Sequence, residues 1–367
     1  MRPSAAGDAD SKARRRRPSG ILILGMYDIS DVRSAPQVRI TMMTEALSRQ
    51  ADTERIVGGR LARAGASMRW LASGGPRRVG AVYVESATTN AMPTDLMLLA
   101  LMRLLRKPVG VYFRDAYQLF RDLHPRVRRR QILTDWLWRL STPLLKSVAS
   151  VRYAPSRGLA EVLGLPGAVL LPPGTDPALP DLGPGEPDHV AAIVQLGQGS
   201  GLDQLLDAMG IVRSHRPAAR LRIGTRSVTP EAAGHLPDWV EIVPTDRSSL
   251  VDLLRDARVC VLPLPINRYS NLAVAVRLMD FLGFGKPIVA TDTIETRAIL
   301  EASGAGIETT DTPEGLAGGI LALLDDEERA RLCSTNARAY SCSPTSTWDA
   351  RASTVLQTLG LAEEPVS

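Results

Sequence analysis

An arginine and an aspartate three positions apart, Arg277 and Asp280, stand within an apolar helical pattern over residues 273–282. Residues at this spacing share one face of a helix. A guanidinium there can bind a phosphate bidentately, and a carboxylate can accept hydrogen bonds from hydroxyl groups. Ser270 and Asn271 precede the pattern and are good N-caps, which predicts that the start of this helix points to the same anion. A surface ion pair is the alternative interpretation.

A second ionisable pair, Arg114 and Asp115, directly follows the apolar run 109–113. If this run is a buried parallel strand, the pair lies at the carboxyl end of a sheet, where open α/β folds bind ligands. A carboxylate in that position can serve as a general base. Alternatively, Asp115 caps the following turn, or both side chains pair with their neighbours.

Other loops that follow strand-like runs carry glycines and small polar or basic residues. Arg226 follows the run 220–223 and is a second phosphate candidate, although loop arginines are usually solvated. Glycine allows a ligand to approach the backbone closely. The remaining candidates are Gly197 and Gly199 after the run 190–196, Thr245 in the loop at 244–245, and Arg33 and Ser34 after the first apolar run.

These candidates need elements to position them, and the chain supplies an alternation of strand-like and helix-like runs. Such alternation predicts an α/β fold with parallel sheets covered on both faces. At 367 residues the chain is long enough for two doubly wound, Rossmann-like domains facing a cleft. The predicted parts are a basic disordered tail (1–20), an N-terminal Rossmann-like domain (21–171), a proline- and glycine-rich linker (172–189), a C-terminal Rossmann-like domain (190–344), and a helix with a tail (345–367) that crosses back to the first domain.

The composition excludes several classes of protein. Three widely spaced cysteines exclude a disulfide scaffold and a four-thiolate zinc site, and they fit a cytoplasmic location. Four histidines without H-x-x-x-H spacing argue against a zinc hydrolase. No apolar run has the roughly 18–20 residues that a membrane span requires. The net charge of +5 is concentrated in residues 1–20 and 121–152, so a nucleic-acid groove is not expected.

Three motifs between residues 170 and 291 carry a resemblance to a known family. They are Leu170-Leu171-Pro172-Pro173-Gly174-Thr175-Asp176, the segment from Gln195 to Ala208 (QLGQGSGLDQLLDA), and the segment from Ser270-Asn271-Leu272 to the run Gly285–Thr291 (GKPIVAT). In this order they resemble GT-B fold glycosyltransferases of the family 4-like, group 1 type with an "LPxKxxEY" signature. Ala275, Arg277 and Asp280 replace the proline, lysine and glutamate of that signature, and Ser200 stands where many relatives have lysine.

The resemblance implies a nucleotide-diphosphate sugar donor that is bound mainly by the second domain without a metal or other cofactor. Arg277 would hold the diphosphate, Asp280 the ribose, and Gly197, Gly199, Arg226, Thr245, Ser270, Asn271 and Leu272 would complete the donor site. Asp115, with Arg114, would be the general base of an inverting reaction, or would orient a substrate in a retaining one. Arg33 and Ser34 would line the acceptor or phosphate loop.

The stretch Arg126–Arg130 and the apolar positions after it are basic and amphipathic. One interpretation is peripheral docking on an anionic membrane at the inner face of the plasma membrane. The other is a core-packing helix with a charged start. The apolar positions are Leu133, Trp136, Leu137, Leu140 and Leu144.

The sequence thus predicts a glycosyltransferase of surface polysaccharide or glycolipid biosynthesis that acts on a glycan or lipid-linked acceptor. Two alternatives stay open. Sugar-nucleotide epimerases use the same two-domain fold. A catalytically silent partner of a membrane glycan-assembly complex is the other, because Leu272 and Ser200 replace polar groups of relatives.

Overall fold

A computed structural model describes residues 20–29, 34–87, 90–123, 129–194, 200–225 and 236–362. Two sheets of six parallel strands, each covered by helices, build two Rossmann-like domains, so the predicted fold class is confirmed. The first domain contains β1 (Gly20–Gly25), α1 (Ala35–Gln50), β2 (Thr53–Val57), α2 (Arg60–Ala72), β3 (Val79–Glu85), α3 (Pro93–Leu104), β4 (Val109–Tyr112), α4 (Arg129–Val148), β5 (Val151–Ala154), α5 (Arg157–Val162) and β6 (Val169–Leu170).

The second sheet begins at Glu186, inside the stretch predicted as linker. This part of the chain contains β7 (Glu186–Ile193), α6 (Leu202–His215), β8 (Arg220–Thr225), β9 (Val240–Pro244), α7 (Leu250–Leu254), β10 (Ala257–Leu262), α8 (Val276–Gly283), β11 (Ile288–Thr291), α9 (Ile294–Ser303), β12 (Gly306–Thr309), α10 (Pro313–Leu324), α11 (Glu327–Ser341) and α12 (Trp348–Thr358).

The strand order of each sheet reverses direction once, between β1 and β3 in the first sheet and between β7 and β10 in the second. The orders are β2-β1-β3-β4-β5-β6 and β9-β8-β7-β10-β11-β12. Parallel sheets bind ligands outside the carboxyl ends of the strands at such a reversal. The two reversals therefore mark where the candidate residues have to converge.

The central strands of each sheet are continuous apolar runs without a polar side. Such strands are typical of a sheet that helices cover on both faces. In the first domain, α2 to α5 cover one face and α1 covers the other. The last helix, α12, packs beside α1 on that second face, where Trp348, Val355 and Leu356 are buried. The C-terminal helix therefore crosses back to the first domain.

The two segments that connect the domains lie side by side. The Thr175 backbone N–H donates to the Ser346 carbonyl at 2.9 Å, and the Trp348 N–H donates to the Thr175 carbonyl at 3.1 Å. A Cβ on Gly174 would lie 2.4 Å from the backbone nitrogen of Trp348, so only glycine allows this approach. The two connections therefore meet at one place.

Neither β2 nor α2 was predicted from the sequence, and the predicted start of α8 lies three residues too early. β2 is an edge strand in which only Ile56 is buried. In α2 an arginine, Arg63, occupies an inward position and pairs with Asp95 at 2.7 Å, which obscures the apolar periodicity. Residues 273–275 are extended at both ends, so α8 begins at Val276.

Candidate active site

The reversal point of the second sheet brings two loops into close contact. The Cβ that any other residue would place at Gly201 would lie 1.5 Å from the Pro263 carbonyl oxygen, and Gly201 has a φ of 80°. Glycine is therefore required where the loop after β7 meets the loop after β10. Gly197 and Gly199 belong to the first of these loops and lie outside the described residues.

Arg277 lies at this reversal point. It is the second residue of α8, and its guanidinium donates a hydrogen bond to the carbonyl oxygen of Ile193, the last residue of β7. The side chain is half-buried, so the cation is held beside the loop that leads into α6. The N-terminus of α6 starts from the same loop, and the role of Arg277 as a phosphate ligand stays a prediction.

Asp280 faces a different set of partners from Arg277. Its Oδ1 lies 3.6 Å from Nη1 of Arg247, whose Nη2 also lies 3.0 Å from Oδ2 of Asp176. Burial raises the pKa of Asp280 to about 6; Arg247 opposes this shift and Asp176 adds to it. Asp176 of the segment that joins the domains, Arg247 of the loop after β9 and Asp280 of α8 thus form one cluster of charges.

Arg247 is a residue of this cluster that the sequence did not predict. It stands among small polar residues in a loop, and nothing in its neighbourhood distinguishes it from a solvated arginine. Asp176 could be noticed in the sequence because it ends the motif Leu170–Asp176. Its role could not be predicted until the fold showed its partner, Arg247.

Ser270, Asn271 and Leu272 form a 3-10 turn, and the predicted N-cap role of Ser270 and Asn271 is wrong. α8 begins at Val276 with Ala275 as its N-cap. The Ser270 hydroxyl donates to the Pro265 carbonyl at 2.7 Å, and the Asn271 side chain accepts from the Ile294 N–H at 3.3 Å.

This turn carries contacts between the two domains. The Leu272 carbonyl accepts a hydrogen bond from the Ser156 hydroxyl at 2.6 Å, and the Leu272 side chain packs against the core of the first domain. The Tyr269 ring stacks on Tyr117, with centroids 4.5 Å apart, and meets the edge of Phe120 at 5.6 Å. The loop after β10 therefore contacts the loop that contains Asp115.

In the first domain, Arg114 is held by a buried glutamate at the reversal point of the sheet. Glu85, the last residue of β3, accepts from Nη2 of Arg114 at 2.9 Å and from Nε of Arg39 at 3.0 Å. The Tyr83 hydroxyl donates to the same carboxylate at 2.7 Å. The Arg39 guanidinium also lies 3.5 Å from the centroid of the Tyr112 ring.

Glu85 and Arg39 were not among the predicted site residues. Arg39 is 1% exposed and Glu85 is fully buried, so neither can be a solvated surface charge. A glutamate that ends an otherwise apolar strand, as in VGAVYVE, was the available signal. Because a buried charge requires a partner, this position could have been matched to an arginine of α1 or of the loop after β4.

Asp115 lies among tyrosines of both domains. Burial raises the pKa of Tyr117 and of Tyr269, and the negative charge of Asp115 raises both further. Burial likewise raises the pKa of Tyr112 to about 12, against the lowering effect of Arg39. The Asp115 carboxylate is thus close to Tyr269 of the second domain, and its role as a general base stays a prediction.

The remaining predicted residues divide between structural roles and the undescribed parts of the chain. Ser34 is the N-cap of α1, and its N–H donates to Oε1 of Gln37 at 2.7 Å. Thr245 directly follows β9, and its hydroxyl donates to the Val243 carbonyl at 2.7 Å. Arg33 and Arg226 lie outside the described residues. For Ser34 and Thr245 a ligand role stays a prediction.

Within the described ranges, no three His, Cys, Asp or Glu side chains come together in a way that could hold a metal ion. A search of the same ranges finds no helix with the length and apolar character needed to cross a membrane.

Comparison with known proteins identifies the second domain. Residues 189–326 match the family model for glycosyl transferases group 1. The second domain is a group 1 glycosyltransferase domain, and the chain has the GT-B fold. This agrees with the resemblance seen in the sequence. The matched group 1 domain contains Arg277, Asp280, Arg247 and the Ser270–Leu272 turn, whereas the first-domain candidates lie outside it.

Solved structures similar to this GT-B chain cover almost its whole length. Sucrose-phosphate synthase from Thermosynechococcus elongatus has a TM-score of 0.63 at 13% identity, over 92% of this chain and 98% of that one. HepE from Anabaena, in complex with UDP and glucose, has a TM-score of 0.61 at 15% identity, over 94% and 100%. A proposed UDP-N-acetylglucosamine 2-epimerase from Listeria monocytogenes has a TM-score of 0.56 at 11% identity, over 95% and 98%. No curated protein matches the sequence significantly.

Proposed function

We propose that the protein transfers a sugar from a nucleotide-diphosphate donor to a glycan or lipid-linked acceptor. The observation that carries the proposal is the position of Arg277, at the reversal point of a group 1 glycosyltransferase domain and bonded to the end of β7. A diphosphate leaving group needs cationic side chains and helix N-termini near the departing oxygen. Arg277 and the N-terminus of α6 supply both.

The first domain contributes the acceptor side of the reaction. The acceptor hydroxyl forms a bond to the anomeric carbon as the bond from that carbon to the diphosphate oxygen breaks. In an inverting reaction, Asp115 takes the proton from the attacking hydroxyl. In a retaining reaction, Asp115 orients the acceptor or the donor sugar. Arg114, fixed by Glu85, supplies a positive charge beside it.

The nucleotide is most simply tested with UDP, because the structurally similar HepE was solved with UDP and glucose. We propose that the donor is held without a metal ion. The reaction would take place at the cytoplasmic face of the membrane, in the assembly of a surface polysaccharide or glycolipid.

The test is thermal unfolding of the protein with UDP, GDP, ADP, TDP and CDP, each with magnesium and with chelator. A ligand at about 100 times its Kd adds roughly 2.7 kcal/mol to the free energy of unfolding, which is easily measured. We expect one nucleotide to stabilise the protein equally with and without magnesium.

Arg277→Ala is expected to weaken that binding by about 10- to 100-fold, since a hydrogen bond to a charged group contributes roughly 1.5–3 kcal/mol. Arg255→Ala is the matched control, because Arg255 is an exposed arginine of the same domain near the opposite, amino-terminal edge of the sheet. If no nucleotide stabilises the wild-type protein, the proposal fails and the silent-partner interpretation gains support.

An epimerase is the second candidate, supported by the structural similarity to the proposed epimerase from Listeria monocytogenes. An epimerase converts a UDP-sugar without an acceptor and releases no nucleotide during turnover. A transferase instead releases the nucleoside diphosphate only as the acceptor is consumed. Chromatography of the nucleotide products, with and without a lipid-linked acceptor fraction, separates the two.

A further inference from the structure

Three neighbouring helices of the first domain leave large apolar side chains uncovered. α2, α3 and α4 turn one side toward a shared core, in which Trp70, Leu98 and Trp138 are buried. On α4, Ile132, Trp136, Leu140 and Leu144 recur every four residues, and all are more than half exposed. Residues at this spacing form one stripe along a helix.

The stripe on α4 is accompanied by similar side chains on the two neighbouring helices. Leu133 lies beside it on α4 and is 56% exposed. Met97 and Leu104 of α3 are 71% and 79% exposed, and Leu61 and Met68 of α2 are 86% and 65% exposed. Large apolar side chains exposed together on neighbouring helices are uncommon in soluble monomers, so the face is expected to have a partner.

The charges on these helices are of one sign. The exposed charged side chains that the structure describes on α2, α3 and α4 are Arg60, Arg69, Arg103 and Arg139. The only two acids of the three helices are buried: Asp95 pairs with Arg63, and Asp135 lies 3.9 Å from Arg121. The outer surface is therefore apolar and basic.

The combination of exposed apolar side chains and arginines favours one kind of partner over another. A second copy of the same face would set like charges against each other across a symmetric contact. An anionic bilayer attracts arginines to its headgroups and accepts leucine and tryptophan side chains at the boundary of the acyl chains. We propose that the outer face of α2, α3 and α4 docks on the surface of an anionic phospholipid membrane.

The docking face lies on the same domain as one wall of the cleft, so docking would affect where the cleft is held. The segment that leads toward α4 contains Phe120 and Asp122, which contact Tyr269 and Arg268 of the second domain. Docking would thus hold the cleft near the bilayer, where lipid-linked acceptors reside. This purpose rests on the proposed glycosyl transfer, whereas the docking itself does not.

The test is co-flotation of the protein with vesicles of phosphatidylcholine alone and of phosphatidylcholine with an equal part of phosphatidylglycerol. We expect binding to the anionic vesicles that falls as salt is raised. Leu140→Glu and Arg139→Glu should each weaken binding by about tenfold or more, because each change replaces attraction with repulsion at the surface.

Matched controls come from the second domain. Leu332 of α11 is 59% exposed, and Arg255 is exposed, so Leu332→Glu and Arg255→Glu introduce the same changes far from the docking face. Both controls should float like the wild-type protein. A variant with Arg14 to Arg17 changed to serine measures the contribution of the basic tail, which should be smaller than that of the helices.

Several outcomes would overturn the proposal. They are equal recovery with neutral vesicles, loss of binding in the tail variant alone, or a dimer that Leu140→Glu dissociates. Nucleotide stabilisation of Leu140→Glu, measured by thermal unfolding, separates the two proposals. If it is retained while vesicle binding is lost, docking is supported independently of donor binding. If the wild-type protein binds nucleotide but no vesicle, only docking fails.

Discussion

At the scale of single residues, the buried carboxylate of Glu85 is the point on which the first-domain site depends. It accepts hydrogen bonds from two arginines and a tyrosine, while Nη1 and Nη2 of Arg39 are buried and have no hydrogen-bond partner among the described residues. Removing one partner of a buried ion pair leaves the other charge uncompensated, which is strongly destabilising. Glu85 therefore fixes Arg114 at the cleft and also stabilises the fold.

We expect Glu85→Gln to lower the free energy of unfolding by about 3–5 kcal/mol, because Arg39 would keep its charge in the core without a counter-ion. Glu54→Gln is the matched control. Glu54 also binds an arginine and an aromatic donor, Arg78 and Trp70, but its side chain is 29% exposed. Its loss should cost only about 1 kcal/mol. Chemical denaturation measures both, and equal losses would contradict the assignment.

The raised pKa of Asp280 makes the free energy of unfolding depend on pH, and the direction of this dependence distinguishes Asp280 from a carboxylate whose pKa is lowered. Its pKa of about 6 in the folded protein lies above the ordinary value of 3.8, so folding favours the protonated form. The resulting stabilisation is complete below about pH 4 and is lost as the pH rises through about 6. A pKa difference of this size corresponds to about 3 kcal/mol.

Relative to the wild type, Asp280→Asn should therefore gain stability as the pH is raised from 4 to 7. Denaturation curves of both proteins across this range measure the difference. Asp246→Asn should show the opposite sign and only below about pH 4, because hydrogen bonds from Ser248 and Ser249 lower the pKa of the Asp246 carboxyl from its ordinary value of 3.8. A constant offset for Asp280→Asn would show that its carboxyl titrates normally.

At the scale of elements, α12 completes a domain from which it is distant in sequence. Trp348 is 3% exposed and belongs to the core formed by β1, β3 and α1. Trp348→Ala should lower the free energy of unfolding by about 3–5 kcal/mol, since a large buried ring leaves a cavity. Trp136→Ala, at a position 56% exposed, should change it by less than about 1 kcal/mol.

Hydrogen exchange locates the effect of Trp348→Ala. Amide protection should fall in β1 and β3 of the first domain, while β10 and β11 of the second keep theirs. Equal loss in both sheets would show instead that the two domains unfold as one unit.

The elements also show how far the sequence could be interpreted. Continuous apolar runs predicted the central strands, and the motif ending in GKPIVAT predicted β11 and its domain. The same motif did not reveal that Lys286 is buried and donates to the carbonyls of Gly183 and Ala257. These hydrogen bonds hold the segment around Gly183, which joins the two domains, against β10. Such contacts join residues far apart in sequence, and no local pattern records them.

In the candidate site, too, residues with a local sequence signal could be predicted, and residues whose contacts are distant in sequence could not. Asp115 could be singled out because parallel strands present their carboxyl ends at one edge, and Arg277 because it shares a face of an apolar helical pattern with Asp280. Arg247 could not, because its partners belong to the connection and to α8. The Ser270–Leu272 turn was misassigned because local capping preference predicted a helix start, whereas packing of Leu272 on the first domain determines the conformation there.

At the scale of the whole molecule, contacts between the domains occur at the cleft and at the paired connections. Tyr269 and Leu272 reach the first domain on one side, and Thr175 meets Ser346 and Trp348 on the other. A rotation about the paired connections would open the cleft and part the Tyr269 contacts without breaking either sheet. Such an opening would also break the contacts of Leu272 and Arg268 with the first domain.

The return of α12 to the first domain also affects the order in which the protein can mature. The second domain is contiguous from β7 to α11, so it can fold as soon as it has been synthesised. The first domain lacks Trp348, Val355 and Leu356 from its core until residues 348–358 have been made. The domain synthesised first is thus the one completed last, and the apolar surface beside α1 that α12 covers stays exposed while the second domain is translated.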